Sequence, residues 1–395
     1  MRIAFLTSEY ITEANFAGGL ANYLQRVAVG LSRMGHDVEI FVLTDSNGIL
    51  KKDRVTINRV KFRPVNSYLL KKVQRTINIL LGSYLLKKAL LKKHRQQEID
   101  VVQAASYLSV GLFLVRSKLL PTVTRISSFA PLWRAANGGF SYLSEQFFVE
   151  KLELIQMRKS QGLYAPSKTL CEIINFFEPL NIEVIRPPFT REHTKSDPGL
   201  FNKYAKGLDY LLFYGSIMPL KGVDFLLANL QNILEENPNT NFIFIGRYGR
   251  EEQFKRAAGP FRERVIYLDS MQRSQLLPFI KGARAVILPS KIDNLPNSCL
   301  ESMAEGKVVV TTYSSGFEDI ITSGRNGFLI KYDESQQLLR CLKEICSMDK
   351  NQLEKIGQEA AETISEGFNE KRNLDLLINY YQMIISKWRN NEKYQ

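Results

Sequence analysis

The sequence predicts an α/β fold built from two doubly wound, mostly parallel sheets, and three observations carry that expectation. Short β-branched runs alternate with helical stretches from the first residues, a polar segment near the middle breaks the rhythm, and a second, cleaner alternation follows. The length of 395 residues, with 45% hydrophobic and 11% aromatic content, supplies cores for two or three domains at about 150 residues each.

In order, strands are expected at 3–7 and 37–43 with a helix over 20–34 between them, then at 99–103, 122–126, 162–165 and 183–185. Together they make a first Rossmann-like domain over 1–190. The stretch REHTKSDPGLFNKYAKG, 191–207, is polar and reads as the linker. The second domain, 208–368, has strands at 210–214, 241–245, 265–268, 285–288 and 308–311, a helix over 223–235, and the strand-like GFLI near its end. A last helical stretch, 369–395, is expected to cross back to the first domain. Open parallel sheets bind ligands at the carboxyl ends of their strands, most simply in the cleft where two such domains face each other.

Composition narrows the function classes. The chain carries 53 Lys plus Arg against 40 Asp plus Glu, and residues 51–95 hold 14 of those cations with one acid, Asp53, so the whole excess of +13 is local. A basic field over the entire surface, as a nucleic-acid binder would show, is thereby disfavoured. The four cysteines, Cys171, Cys299, Cys341 and Cys346, lack the spacing of zinc ligands or of a disulfide framework, which fits a reducing cytosol. The opening MRIAFLTSEY is too short and too polar-flanked for a signal peptide, and no run approaches the roughly 20 apolar residues of a membrane span. A cytoplasmic protein is expected, with peripheral membrane attachment as its alternative.

The densest constellation is DNLPNSCLESMAEGKVVVTT, Asp293 to Thr312. Asn294 to Asn297 reads as a turn, Asn297 as an N-cap, and Gly306 as the close of the helix that follows. The amides of Leu295, Asn297 and Ser298 at that helix start suit a phosphate, with the helix dipole behind them. Asp293 and Glu301, eight residues apart, place two carboxylates where adjacent sugar hydroxyls can donate to them. An acid on a helix dipole plus one solvated Glu is the plainer alternative. Gly18 and Gly19 follow the first strand in a loop before a helix, where missing side chains let the backbone approach a bound ligand such as a phosphate. No G-x-G-x-x-G follows the strand, so NAD is disfavoured, and no Asp-x-Asp is present to chelate a metal.

At these residues the chain resembles the retaining nucleotide-sugar glycosyltransferases of family 4, whose fold is GT-B. DNLPNSCLESMAEG resembles a variant of that family's Glu-x7-Glu motif, with Asp for the first Glu. FLTSEY, NFAGGLANY and GHDVEIFV resemble its first βαβ unit, APSKTL a late strand end of its first domain, and GSIMPLKG and GFLI the first and last landmarks of its second. The resemblance implies that Glu301 accepts the nucleotide ribose hydroxyls, that Asp293 with the following amides holds the transferred sugar, and that Lys221 neutralises the diphosphate. It implies a hexose donor in nucleoside diphosphate form, no cofactor and no metal, and a glycan or lipid-linked acceptor in cell-surface polysaccharide or glycoconjugate biosynthesis. Two positions depart from the pattern. Ser216 stands where an Arg is usual, with Arg247 as a compensating cation, and Ser127 stands where many members have His. The histidines, His36, His94 and His193, offer no obvious substitute, and no catalytic base is named.

The basic insertion, 51–95, has its own reading. Within 69–95, Val73, Ile77, Leu80, Tyr84 and Leu91 share a helical face among eight Lys or Arg and no acid, the pattern of a helix lying on an anionic membrane surface. The alternative is a helix packed on the first sheet with a solvated basic rim, since Ile79, Leu86 and Leu90 fall on the opposite side. Two rival functions remain, a non-catalytic scaffold on the same fold and a nucleic-acid binder through 51–95.

Overall fold

The computed structural model describes residues 1–13, 19–117, 119–137, 145–191, 195–314 and 316–392. The chain divides into two units, one of residues 1–188 with 370–395 and one of residues 189–369.

Among the described residues, the first unit contains β1 (Arg2–Thr7), β2 (Asp37–Thr44), β3 (Gly48–Lys52), β4 (Val55–Lys61), β5 (Val101–Ala105), β6 (Thr122–Arg125), β7 (Gly162–Ala165) and β8 (Glu183–Val184). They form one sheet in the order β3-β4-β2-β1-β5-β6-β7-β8, parallel except for the β3–β4 pair. The second unit contains β9 (Tyr210–Tyr214), β10 (Asn241–Ile245), β11 (Val265–Leu268), β12 (Ala285–Leu288), β13 (Val308–Thr312) and β14 (Phe328–Ile330), all parallel in the order β11-β10-β9-β12-β13-β14. Its central strands β9, β12 and β13 are buried on both faces, and Leu211, Phe213, Phe242, Phe244, Ile287 and Val310 fill one layer of core.

Two expectations need correction, and a third leaves two alternatives open. The segment 191–207 is not a bare linker, because it carries the helix Gly199–Tyr204, whose Phe201 packs edge-on against Phe279, and it belongs to the second unit. Its polar letters hide Leu200, Phe201 and Tyr204, three apolar anchors that lie against the core. Residues 51–95 are not an insertion either. They hold β4, paired in parallel with β2, and the helix Gln74–His94 that connects it to β5. Val55, Ile57 and Val60 are buried, and the Lys and Arg between and beside them mask the strand period. Finally, the helix Gln74–His94 packs on the sheet through Ile79, Leu86 and Leu90, so the packed-helix alternative describes its contacts. Val73 and Tyr84 of the other face are exposed, and Ile77, Leu80 and Leu91 are half-buried.

The closing helix, Glu370–Glu392, packs on the first unit. Leu374, Leu377, Tyr381 and Ile384 enter the core with β1 and β2, Tyr380 donates to the Leu163 carbonyl at 2.9 Å, and Tyr381 donates to Gln103 at 2.5 Å. Gly30 gives it room, since a Cβ there would lie 2.5 Å from Leu374 Cδ1 and the leucine would have to shift.

One buried acid of this unit gives a pH-dependent stability. Glu153, 4% exposed on the helix Glu145–Lys159, accepts from the Leu108 amide at 3.2 Å and holds a turn in which Leu108 and Ser109 have φ of 57° and 49°. Burial pushes its carboxyl up to about 8, opposed by the Leu108 amide and Arg75 and reinforced by Glu150. Its folded value lies above its unfolded one, so its contribution is fully present below pH 4.5 and is lost as pH rises toward 8. Glu153→Gln keeps an acceptor for the amide and removes the charge. It is expected to abolish this decline and to exceed the parent by about 2–4 kcal/mol at pH 8. Urea midpoints across that range are the measurement, and parallel profiles for the two proteins would refute the assignment.

Candidate functional site

The second sheet starts in its middle. From β9 the chain moves outward through β10 and β11, then returns to place β12 on the other side, so β9 and β12 form the switch point where open α/β sheets take their ligands. The two strands are laddered only at Ala285↔Leu211 and Val286↔Leu212, which leaves their carboxyl ends without shared backbone bonds.

Two loops meet above that gap. After β9 the chain passes through Gly215 (φ 143°) and a single 3₁₀ turn, Pro219–Lys221, and then reverses at Gly222 (φ 73°). A Cβ on Gly222 would lie 1.8 Å from the carbonyl oxygen of Pro289, which follows β12, so glycine alone permits both the left-handed turn and the approach of the two loops. The Lys291 amide donates to the Leu220 carbonyl at 3.0 Å and fastens them. Lys221 is thereby brought to Asp293, and its Nζ pairs with Asp293 Oδ2. The same oxygen accepts from Ser290 Oγ at 3.2 Å, Oδ1 accepts from the Asn294 amide at 3.0 Å, and the Asp293 amide donates to Ser314 O at 3.0 Å. Three donors thus hold the carboxylate, and a fourth bond holds the Asp293 backbone.

The helix Asn297–Ala304 begins directly after this corner. Its cap is Pro296, and Asn297 is the first helical residue, which corrects the expected N-cap. Proline's fixed φ, here −65° with ψ 141°, sets the extended cap geometry without a side-chain acceptor. Leu295 turns the chain into the helix with φ 51° and buries its side chain, and Gly316 lies so near that a Cβ there would be 2.9 Å from the Leu295 nitrogen. Tyr214, at the end of β9, donates to the Ser298 carbonyl at 2.6 Å and lies 3.0 Å from Ser302 Oγ. Burial first, and Glu301 second, raise its phenol well above the ordinary value, so it stays a neutral strut between strand and helix. On the helix, Glu301 pairs with Arg273 at 2.9 Å. Arg273 opens the helix Arg273–Gly282, which follows β11.

The arrangement therefore sets two carboxylates, each held by a cation, at the start of one helix and the carboxyl edge of one parallel sheet. Comparison with known proteins gives this geometry its family. A model for Glycosyltransferase Family 4 matches residues 17–192, and one for Glycosyl transferases group 1 matches residues 209–348. An uncharacterised glycosyltransferase of Methanocaldococcus jannaschii is 23% identical over 280 residues, 69% of this chain and 70% of that protein. The chain belongs to the family 4-like glycosyltransferases. Its fold is GT-B. Sucrose-phosphate synthase from Thermosynechococcus elongatus superposes with a TM-score of 0.80 at 14% identity, over 98% of this chain and 99% of that one. Anabaena Alr3699/HepE, solved in complex with UDP and glucose, gives a TM-score of 0.70 at 19% identity, over 97% and 99%.

Within this glycosyltransferase the expected residues distribute unevenly. Lys221, Asp293, Asn294 and Ser290 form one hydrogen-bonded group, while Glu301 and Arg273 form a second ion pair on the helix beyond. Ser216 is half-buried just after β9, and the Ile217 amide next to it donates to the Arg247 carbonyl at 2.9 Å. Arg247 thus has its backbone beside the Ser216 loop and an exposed side chain. Gly19 opens the helix Gly19–Arg33 of the first unit, and Gly18 lies outside the described residues. Ser127, also in the first unit, donates its amide to Ser106 Oγ at 3.3 Å. His36 Nδ1 lies 3.2 Å from the Met1 amino group and His94 Nδ1 accepts from the Ile99 amide at 3.0 Å, both structural contacts, while His193 is outside the described residues.

Sequence reading missed Arg273, Ser290 and Tyr214. Arg273 left one trace. A cation in the first turn of a helix opposes the macrodipole, so its presence there calls for another reason, which the Glu301 carboxylate supplies. Ser290 and Tyr214 give no such signal, because a serine after a strand and a tyrosine within one are ordinary.

Proposed function

We propose that this glycosyltransferase moves a hexose, with retention of anomeric configuration, from a nucleoside diphosphate sugar to a glycan or lipid-linked acceptor in the assembly of cell-surface polysaccharide or glycoconjugate. The observation that carries the reading is the convergence of Lys221 and Asp293 across the β9–β12 switch point, one helix start away from Glu301. When the glycosidic bond breaks, the departing diphosphate gains negative charge. Lys221 moves from Asp293 to that charge, and the start of the helix Asn297–Ala304 adds its dipole. Asp293, still held by Ser290 and the Asn294 amide, then accepts from hydroxyls of the transferred sugar. Glu301, oriented by Arg273, accepts from the ribose hydroxyls. The departing phosphate itself assists the acceptor hydroxyl, so no side chain is assigned as general base. The UDP and glucose bound to the Anabaena protein support a donor of this kind.

Turnover measured against a panel of uridine, guanosine and adenosine diphosphate hexoses tests the activity, and nuclear magnetic resonance of the anomeric proton tests retention. No turnover of any donor would favour a scaffold on the same fold. Lys221 and the helix start supply the positive charge in this reading, with no resident cofactor or metal. Activity is therefore expected to survive saturating EDTA unchanged, and a loss restored by Mg²⁺ would refute that part.

The reading includes work at the cytoplasmic face of a membrane. Among the described residues no helix is long and apolar enough to cross one. Tyr68 and Leu69 are 89% and 92% exposed beside Lys71 and Lys72, a pattern that favours contact with anionic lipid. Sedimentation of the full chain with vesicles is expected to require anionic lipid, and equal binding to neutral vesicles would count against it.

A further inference from the structure

The first unit carries a pocket of about 440 Å³ at the carboxyl edge of its own sheet. Ser8, which follows β1, and Leu43 of β2 form its floor with the turn after β5, and the helix Gln74–His94 forms its roof. Leu43, Phe62, Ile79, Leu108 and Val110 make the interior apolar, and Lys71 and Arg75 stand at its border. The walls are built rather than incidental. Asn78 clamps the backbone of Val65, accepting from its amide at 2.7 Å and donating to its carbonyl at 3.1 Å, while Gln74 accepts from the Ser67 amide at 3.2 Å. These bonds tie the segment bearing Phe62 to the roof helix.

Two cations, Lys71 and Arg75, face one lining acid, Glu145, and Arg75 also acts on the Glu153 carboxyl, which burial pushes up to about 8. Glu145, the acid among the lining residues, is engaged by the Thr76 amide at 2.7 Å, and Arg75 donates to the neutral Gln146 at 2.8 Å. Among the described residues neither Lys71 nor Arg75 has an ion-pair partner. From Lys71 the chain runs back without interruption into Tyr68, Leu69 and Leu70, all exposed. An apolar chamber, a cationic rim and an adjoining apolar turn ask for a ligand with the same sequence of properties.

We propose that this pocket receives the acceptor, and that the acceptor is an amphiphilic anion drawn from a lipid surface, a hydrocarbon chain joined through phosphate or diphosphate to a saccharide whose hydroxyl forms the new glycosidic bond and gives its proton to the departing diphosphate. The hydrocarbon nearest the head group fills the chamber between Leu43, Phe62 and Ile79, and the phosphate meets Arg75 and Lys71. This inference rests on the glycosyltransferase reading above and selects the lipid-linked acceptor over a free glycan.

Titration of the full chain with decyl phosphate, decanol and inorganic phosphate, followed by calorimetry below the micellar concentration, reads the site without turnover. Decyl phosphate is expected to bind, with inorganic phosphate and decanol each at least about tenfold weaker because each lacks one half of the recognition. In Lys71→Glu/Arg75→Glu, whose changed side chains are exposed, affinity for decyl phosphate is expected to fall about thirtyfold or more while the far-ultraviolet circular dichroism stays that of the parent. Equal affinity for inorganic phosphate, or undiminished decyl phosphate binding by the double variant, would overturn the proposal. Donor turnover onto a soluble glycan, with no decyl phosphate binding, would overturn it and leave the glycosyltransferase reading standing. Decyl phosphate binding without turnover of any donor would support the pocket and count against that reading.

Discussion

Lys221→Ala is expected to lower kcat by about 10²–10³-fold and to destabilise the protein at the same time, and the two losses have different causes. The catalytic loss follows from removing the positive charge that meets the leaving diphosphate. The stability loss follows from what remains. Asp293 has a side chain only 11% exposed, and without Lys221 it loses the ammonium paired with its Oδ2 while keeping Ser290 and the Asn294 amide as partners. Deleting one member of a fully buried pair costs about 3–5 kcal/mol, and Lys221, at 28% exposure, is wet enough to bring this toward about 1–3 kcal/mol. The double variant Lys221→Ala/Asp293→Asn separates the effects. Neutralising Asp293 removes the buried charge that Lys221 had paired, so the unfolding midpoint is expected to return toward the parent while kcat stays low. If the double variant recovered activity, the lysine would be serving Asp293 rather than the diphosphate, and its assigned role would fall.

How far the sequence speaks for this site depends on which forces shape each part. The strands of the second unit are legible because parallel strands covered on both faces are continuous apolar runs, as in YLLFY of β9 and VVVTT of β13. The β3–β4 hairpin is not. In VTINRVK the inward residues alternate with outward polar ones, and Asp53 and Arg54 form the turn with φ of 51° and 64° in place of the usual glycine. Asp293 and Glu301 are visible as a motif because they lie close in sequence on one corner and one helix. Their partners come from elsewhere. Lys221 reaches Asp293 only because Gly222 lets a β9 loop touch a β12 loop, and Arg273 reaches Glu301 from the helix after β11. Such pairings are properties of the strand order, which local periodicity does not encode.

Glu301→Ala is expected to raise the donor KM by about 30–100-fold while changing kcat little, because its carboxylate serves the ribose, away from the breaking bond. An interaction made equally in the bound substrate and the transition state shifts binding and leaves the chemical step untouched. The variant also removes the Glu301 partner of Arg273, so a KM effect alone does not locate the carboxylate. A donor lacking both ribose hydroxyls does. The parent enzyme is expected to lose most of its affinity for that donor, whereas Glu301→Ala, with no carboxylate to receive the hydroxyls, is expected to treat the two donors nearly alike. Binding losses that add across the substitution and the missing hydroxyls would mean that Glu301 does not touch the ribose. Arg273→Ala provides the intermediate case. The carboxylate stays but loses the guanidinium that orients it, so a smaller rise in KM is expected, with discrimination between the two donors reduced rather than abolished.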